Sequence, residues 1–321
     1  MTDLTTALAP GSARPATDDR ATELVDLVVT PPDDAGRAAV DVAPRGARLR
    51  YTLRHLVRRP GLVVAVVWLV AVLVAAVAPS VLASGDPLAG VPADKLTGPS
   101  GQHWFGTDQL GRDLYTRVVH GTGTTLHAAL LAIAIGLVVG SVLGLLAGFV
   151  GGAVDAVLMR FADVLLAIPG LLLSLAVVTA LGFGTVNVAI AVGTTSVASV
   201  SRILRSEVLR VRTSAYVEAA RAGGSRWWRV LLVHVLPNSV GPVLVLAALE
   251  LGTAILAVSS LSFLGYGAQP PQPEWGSLVA GGRDYLAGQW WLTTLPGIVI
   301  ALTVLAGNRL ARALDTEGNP S

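Results

Sequence analysis

The chain has 321 residues, of which 53% are hydrophobic and only 14% charged, with a formal net charge of +2. Its mean hydropathy is +0.65, and a soluble domain with so little charge would precipitate, so composition points to a membrane protein. The basic residues stand beside apolar runs, where they act as orientation signals rather than a nucleic-acid patch. The absence of cysteine excludes disulfides and thiolate metal sites.

In chain order, residues 1–50 are rich in Thr, Asp, Pro, Ala and Arg without a sustained apolar period, which predicts a disordered N-terminal tail. A signal peptide would place its apolar core closer to Met1. From residue 60 to 84 the sequence is uncharged, long enough at about 1.5 Å per residue to cross a hydrocarbon core of about 30 Å. Further spans are expected at 126–150, 153–181, 186–204, 238–263 and 289–310. In the second, Gly136, Gly140, Gly144 and Gly148 recur at four-residue spacing on one face, where another helix backbone can approach closely. Pro169-Gly170 is expected to kink the third. The expectation is therefore an all-α polytopic protein: a six-helix transmembrane domain over 51–315 and a short C-terminal tail over 316–321.

Six spans put both termini on one side, and the 23 Lys and Arg residues indicate which. Nine precede the first span, seven lie between Arg202 and Arg229, Arg309 and Arg312 end the last span, and Arg160 opens the third. Only Lys95, Arg112, Arg117 and Arg283 fall on the opposite side. Cytoplasmic segments collect basic residues, so both tails are expected in the cytoplasm. Trp104, Trp275, Trp290 and Trp291 then fall near the outer interface, and Trp227 and Trp228 near the inner one.

The segment SAYVEAARAGGSRWWRVLLVHVLP, residues 214–237, becomes a cytoplasmic loop between helices four and five. Ser214 can N-cap a helix of about two turns over AYVEAARA, and Gly223 and Gly224 can end it through a left-handed residue. Ser225 can cap the following RWWRVLLVHVL, which Pro237 separates from helix five. So short a helix is marginal alone in water, and Tyr216, Val217, Ala219 and Ala220 offer it an apolar or small surface. A connector packed on its own bundle accounts for these features as well as a docking element does.

The only lysine, Lys95, precedes Leu96, so the chain holds no standard phosphate-binding loop. The five histidines are scattered without metal-ligand spacing, and no nucleophile elbow is present. No catalytic residue, resident cofactor or metal is expected.

The stretch EAARAGGSRWWRVLLVHVLP is similar to the EAA signature of ABC importer permeases, matched here at Glu218, Ala219, Ala220, Gly224, Leu236 and Pro237, with His234 at the usual Ile position. HWFGTDQLGRDLYTRVVHG (103–121), GGAVDAVLMRFADVLLAIPGLLL (151–173) and LSFLGYGAQPPQPEWGSLV (261–279) resemble the C-type permease subunit of dipeptide, oligopeptide and nickel importers. The resemblance implies a bacterial plasma-membrane assembly with a homologous second permease, two ATPase subunits that hold ATP and Mg2+, and an extracytoplasmic solute-binding protein. It makes this chain a transport subunit rather than an enzyme, in contact with lipid and not with nucleic acid. It also implies that residues 215–222 form the coupling helix, with Tyr216, Val217, Glu218, Ala219, Ala220, Arg221, Gly223 and Gly224 meeting an ATPase subunit. Di- and oligopeptides are the expected cargo; nickel or another small solute, or a secondary transporter, are the alternatives.

Asp108, Arg112 and Asp113 can pair outside the membrane, as a structural cap or as substrate contacts. PPQPEWGS, with its prolines, is expected to form a rigid outer loop. Arg160 and Asp163 can pair at i,i+3. Glu250, about twelve residues into helix five, sits near the midplane, where a carboxylate is costly and by default functional. Lining the pathway and a buried helix-to-helix hydrogen bond remain open for it.

Overall fold

The computed structural model describes residues 60–318, with side chains to residue 313. The N-terminal tail expected over 1–50 lies outside the described residues. Every regular element among those described is helical, and backbone pairing is limited to two isolated bridges, Gly90 with Arg112 and Thr107 with Asp113.

Helix α1 spans Pro60–Val77 and breaks at Ala78, because Pro79 lacks a donor N–H and starts a separate short turn, α2 (Pro79–Leu82). The first expected span is thus shorter than its uncharged run. Helix α3 (Leu114–Val150) starts twelve residues before the span read from hydropathy. Thr116, Arg117, Thr122 and Thr125 on its first turns are buried, so packing rather than apolarity carries the helix upstream. The third expected span is two helices, α4 (Gly152–Ala167) and α5 (Gly170–Leu181), bent by 98° at the Pro169 junction. Helix α6 covers Thr185–Arg212 and α7 covers Ala215–Ala222. One turn, α8 (Trp227–Arg229), leads through a π-helical segment, Val230–Val235, into α9 (Leu236–Ser239). Helix α10 (Gly241–Phe263), the short α11 (Trp275–Gly282) and α12 (Trp291–Gly318) complete the chain. Among the described residues five helices are long and apolar enough to cross a membrane, or six spans if the bent pair counts as one.

The most extensive helix pair is α3 with α6, and the glycine ladder is its cause. A Cβ on Gly140 would lie 2.7 Å from the Val197 carbonyl oxygen, and one on Gly144 would lie 2.4 Å from that of Ser201. Gly193 of α6 returns the arrangement, with a Cβ 2.7 Å from the Ala132 carbonyl oxygen. Backbone meets backbone along this seam, which is how apolar helices gain contact where no hydrophobic force separates protein from lipid.

Two local expectations are corrected. Asp163 does not pair with Arg160; it binds Arg202 of α6 at 2.5 Å, while Asp155 takes Arg205 of α6 through both carboxylate oxygens at 2.5 and 2.6 Å. An exposed i,i+3 pair is worth a few tenths of a kcal/mol, and the two-oxygen contact of Arg205 is the stronger geometry. Trp275 is not an interface residue: it is completely buried, and its indole N–H donates to the Val118 carbonyl at 3.0 Å. Trp291 is likewise buried, leaving Trp104 and Trp290 exposed at that end.

Candidate functional site

Helix α7 has one fully buried side chain, Val217, on the bundle, with Ala220 packed beside it. Val217 is fully buried in a cluster with Val208, Val211, Val230 and Val235, while Tyr216, Glu218, Ala219 and Arg221 are exposed. The helix rests on α6 and the π-helical segment. Its C-terminus closes as a Schellman motif: the Ser225 N–H donates to the Ala220 carbonyl at 3.1 Å and the Gly224 N–H to that of Arg221 at 3.0 Å. Gly224 has φ +78, the left-handed geometry that favours glycine, whereas Gly223 has an ordinary φ of −73. The expected caps differ. Ser214 has the extended backbone of an N-cap, but its hydroxyl turns back to the Val211 carbonyl at 2.6 Å. Arg226, not Ser225, occupies the cap position of α8. The Arg221 guanidinium lies 5.5 Å from the Phe149 ring centroid, tying α7 to the end of α3.

The opposite end of α3 holds the second group. Asp108 is buried and accepts from the Leu110 and Arg112 backbone N–H groups at 2.8 and 3.1 Å and from Arg112 Nε at 2.7 Å. Asp113 does not pair with Arg112. It caps α3, accepting from the Thr116 N–H and hydroxyl, both at 2.8 Å, and it lies 2.9 Å from His103 Nδ1. A cavity of about 350 Å³ separates this loop from the 268–282 segment. Arg117 lines it, 5% exposed; its Nη1 donates to the Pro87 carbonyl, while Nε has no hydrogen bond and lies 3.6 Å from Asp108 Oδ2. The arrangement is a network of caps and paired charges that holds two loops in register.

Sequence reasoning missed the residue that anchors the far wall. Glu274, 1% exposed, caps α11 by accepting from the Gly276 and Ser277 N–H groups, and it also accepts from the Ser277 hydroxyl and, at 3.1 Å, the Thr125 hydroxyl of α3. An acidic residue just after a proline turn and before Trp-Gly-Ser is a helix-start signal that favours negative charge; the rigid-loop reading of PPQPEWGS passed over it.

Glu250 lies in α10, half-buried, with the Ser196 hydroxyl of α6 as its side-chain partner. It bonds with neither group above, and the structure does not bring the α7 residues to Asp108, Arg112 or Asp113. Among the described residues no three His, Asp or Glu side chains gather to hold a metal ion.

Comparison with known proteins agrees with this architecture. Residues 140–317 match the model of the binding-protein-dependent transport system inner membrane component family. The chain is 40% identical over 227 residues to a probable D,D-dipeptide transport system permease protein of Escherichia coli K12, covering 71% of this chain and 76% of that relative. It is 36% identical over 229 residues to a dipeptide transport system permease protein of Alkalihalophilus pseudofirmus, covering 71% and 75%. Against a glutathione transport system permease protein of Shigella flexneri the identity is 45% over 223 residues, covering 70% and 74%. A multi-pass helical bundle with this family match and these relatives belongs to the ABC importer permeases of the dipeptide and oligopeptide family, the binding-protein-dependent transport system inner membrane components.

Proposed function

We infer that the chain forms half of the translocation pathway of an ATP-driven importer of di- and oligopeptides, in a bacterial plasma membrane with both termini in the cytoplasm. The cargoes for which the relatives are named, a D,D-dipeptide, dipeptides and glutathione, are all peptides, which supports the cargo class. The distribution of arginines supports the orientation. A homologous second permease completes the pathway, an extracytoplasmic binding protein delivers the peptide, and two ATPase subunits hold the ATP and Mg2+ that this chain does not bind.

The observation that carries the coupling role is the construction of α7: Val217, its one fully buried residue, seats it on the bundle with Ala220 and Arg221 beside it, while Tyr216, Glu218 and Ala219 are presented outward. Glu218 makes no ion pair among the described residues, so its charge is available to a basic group or backbone N–H of an ATPase subunit. Movement of that subunit is transmitted through Val217 and the Schellman turn to α6 and the π-helical segment. Half-buried Glu250 is assigned to the pathway wall, where its charge meets the peptide.

The test uses Glu218→Lys and Gly224→Val in the whole assembly. The first reverses the exposed charge, and the second forces a β-branched residue into left-handed backbone at a cost of about 1–2 kcal/mol. Both variants should reach the membrane at near-normal levels, lose peptide uptake, and lose stimulation of ATPase activity by the loaded binding protein. Full uptake by both would assign coupling to another surface.

A further inference from the structure

Directly after the Schellman turn, the chain reads Arg226-Trp227-Trp228-Arg229 and enters the π-helical segment. Its side chains sort into two sets. Val230, Leu231 and Val235 turn into the bundle. Trp227 is 67% exposed, Trp228 46%, Leu232 53% and Val233 55%. Arg226 and Arg229 are exposed, and neither guanidinium has a partner among the described residues. Their neighbours in sequence differ: Arg202, Arg205 and Arg210 pair with Asp163, Asp155 and Glu207, and Arg212 donates to the Gly148 carbonyl. Two cations beside two tryptophans are thus left without an internal anion.

Depth identifies the anion's source. The Trp227 ring lies 6.4 Å from that of Phe149, the penultimate residue of α3, so the patch sits where a long uncharged span ends. Below it the apolar surface continues along α10 from Leu244, 61% exposed. Indole rings at that depth with cations beside them match a headgroup layer, and a guanidinium presents the fork that fits a phosphate. A soluble partner would leave Leu232 and Val233 facing water whenever it dissociated; lipid covers them permanently.

We propose that residues 226–233 form a binding site for an anionic phospholipid, with Arg226 and Arg229 on the phosphate and Trp227, Trp228, Leu232 and Val233 against the glycerol and upper acyl chain. The site requires a membrane-spanning chain but not the coupling role of α7, so the two readings can fail separately.

The experiment reconstitutes the full chain in phosphatidylcholine vesicles containing a minor fraction of brominated phosphatidylglycerol, or the same fraction of brominated phosphatidylcholine. Tryptophan quenching is read as the difference between the native chain and W227F/W228F, which removes the signal of the other five of seven tryptophans. Quenching by the glycerol lipid should exceed that by the choline lipid, and the excess should fall about five-fold for each arginine replaced in R226Q and R229Q. The charge-retaining pair R226K/R229K should keep most of it. Equal quenching by the two lipids, or an excess that survives R226Q/R229Q, overturns the proposal. So does loss of the excess when the ATPase subunits are added, which would assign the patch to a protein partner.

Discussion

Val217→Ala isolates the attachment of α7 from its exposed face. Val217 is the only fully buried residue of the eight-residue helix, and a helix this short has no stability of its own in water. Removing two methyl groups from a fully buried site costs about 2 kcal/mol, from lost transfer energy of about 0.8 kcal/mol per group plus a residual cavity. That loss falls on the docked state of α7, since the undocked helix exposes residue 217 to water in either case. The ratio of undocked to docked helix should therefore rise about thirty-fold, at about 1.4 kcal/mol per factor of ten. Hydrogen exchange reads this directly. The amides of Val217, Glu218, Gly224 and Ser225, which bond locally within α7 and its Schellman turn, should exchange about thirty-fold faster, while amides on the α3–α6 seam should not change. Uptake should fall because the contact surface keeps its residues but loses its mounting. Unchanged exchange at those amides would refute Val217 as the main anchor of α7. Faster exchange with full uptake would separate docking from transport and refute the mechanical role of Val217.

Gly144→Ala should lower the thermal midpoint of the purified chain, since the new Cβ would meet the Ser201 carbonyl oxygen at 2.4 Å and overpacking of this kind costs about 1–3 kcal/mol. Gly297→Ala, where a Cβ meets nothing within 4 Å, is the control and should be neutral or mildly stabilising; equal midpoints for the two variants would refute the close-packed seam. Glu250→Gln keeps an acceptor for the Ser196 hydroxyl while removing the charge, so assembly and thermal midpoint should hold while peptide uptake falls about ten-fold or more. Unchanged uptake of every peptide tested would make Glu250 a helix-packing residue.

What the sequence disclosed and what it withheld divide along physical lines. Hydropathy located the spans because lipid imposes a minimum apolar length on any helix that crosses it, and the glycine ladder was legible because four-residue spacing puts residues on one face whatever they pack against. Hydropathy misplaced the start of α3, where the buried polar residues meet protein rather than lipid: Thr125 bonds with Glu274 and Trp275, Arg117 with the Pro87 carbonyl and Thr116 with Asp113. The break at Pro169 was legible, but its 98° angle was not, because proline removes a hydrogen bond without dictating where the next helix goes. Charge partners were least readable. Asp155 and Asp163 found arginines of α6 at separations of 50 and 39 in sequence, Arg205 reaching both carboxylate oxygens of Asp155 and Arg202 one oxygen of Asp163. The same logic explains Glu274. Its role depends on the Thr125 hydroxyl, 149 residues distant, and on a Trp275 indole that satisfies its N–H on the Val118 carbonyl two turns earlier in α3. Local signals thus place the ends of helices, including the Gly224 turn that terminates α7, while the contacts that decide what each end holds are set by neighbours far away in the chain.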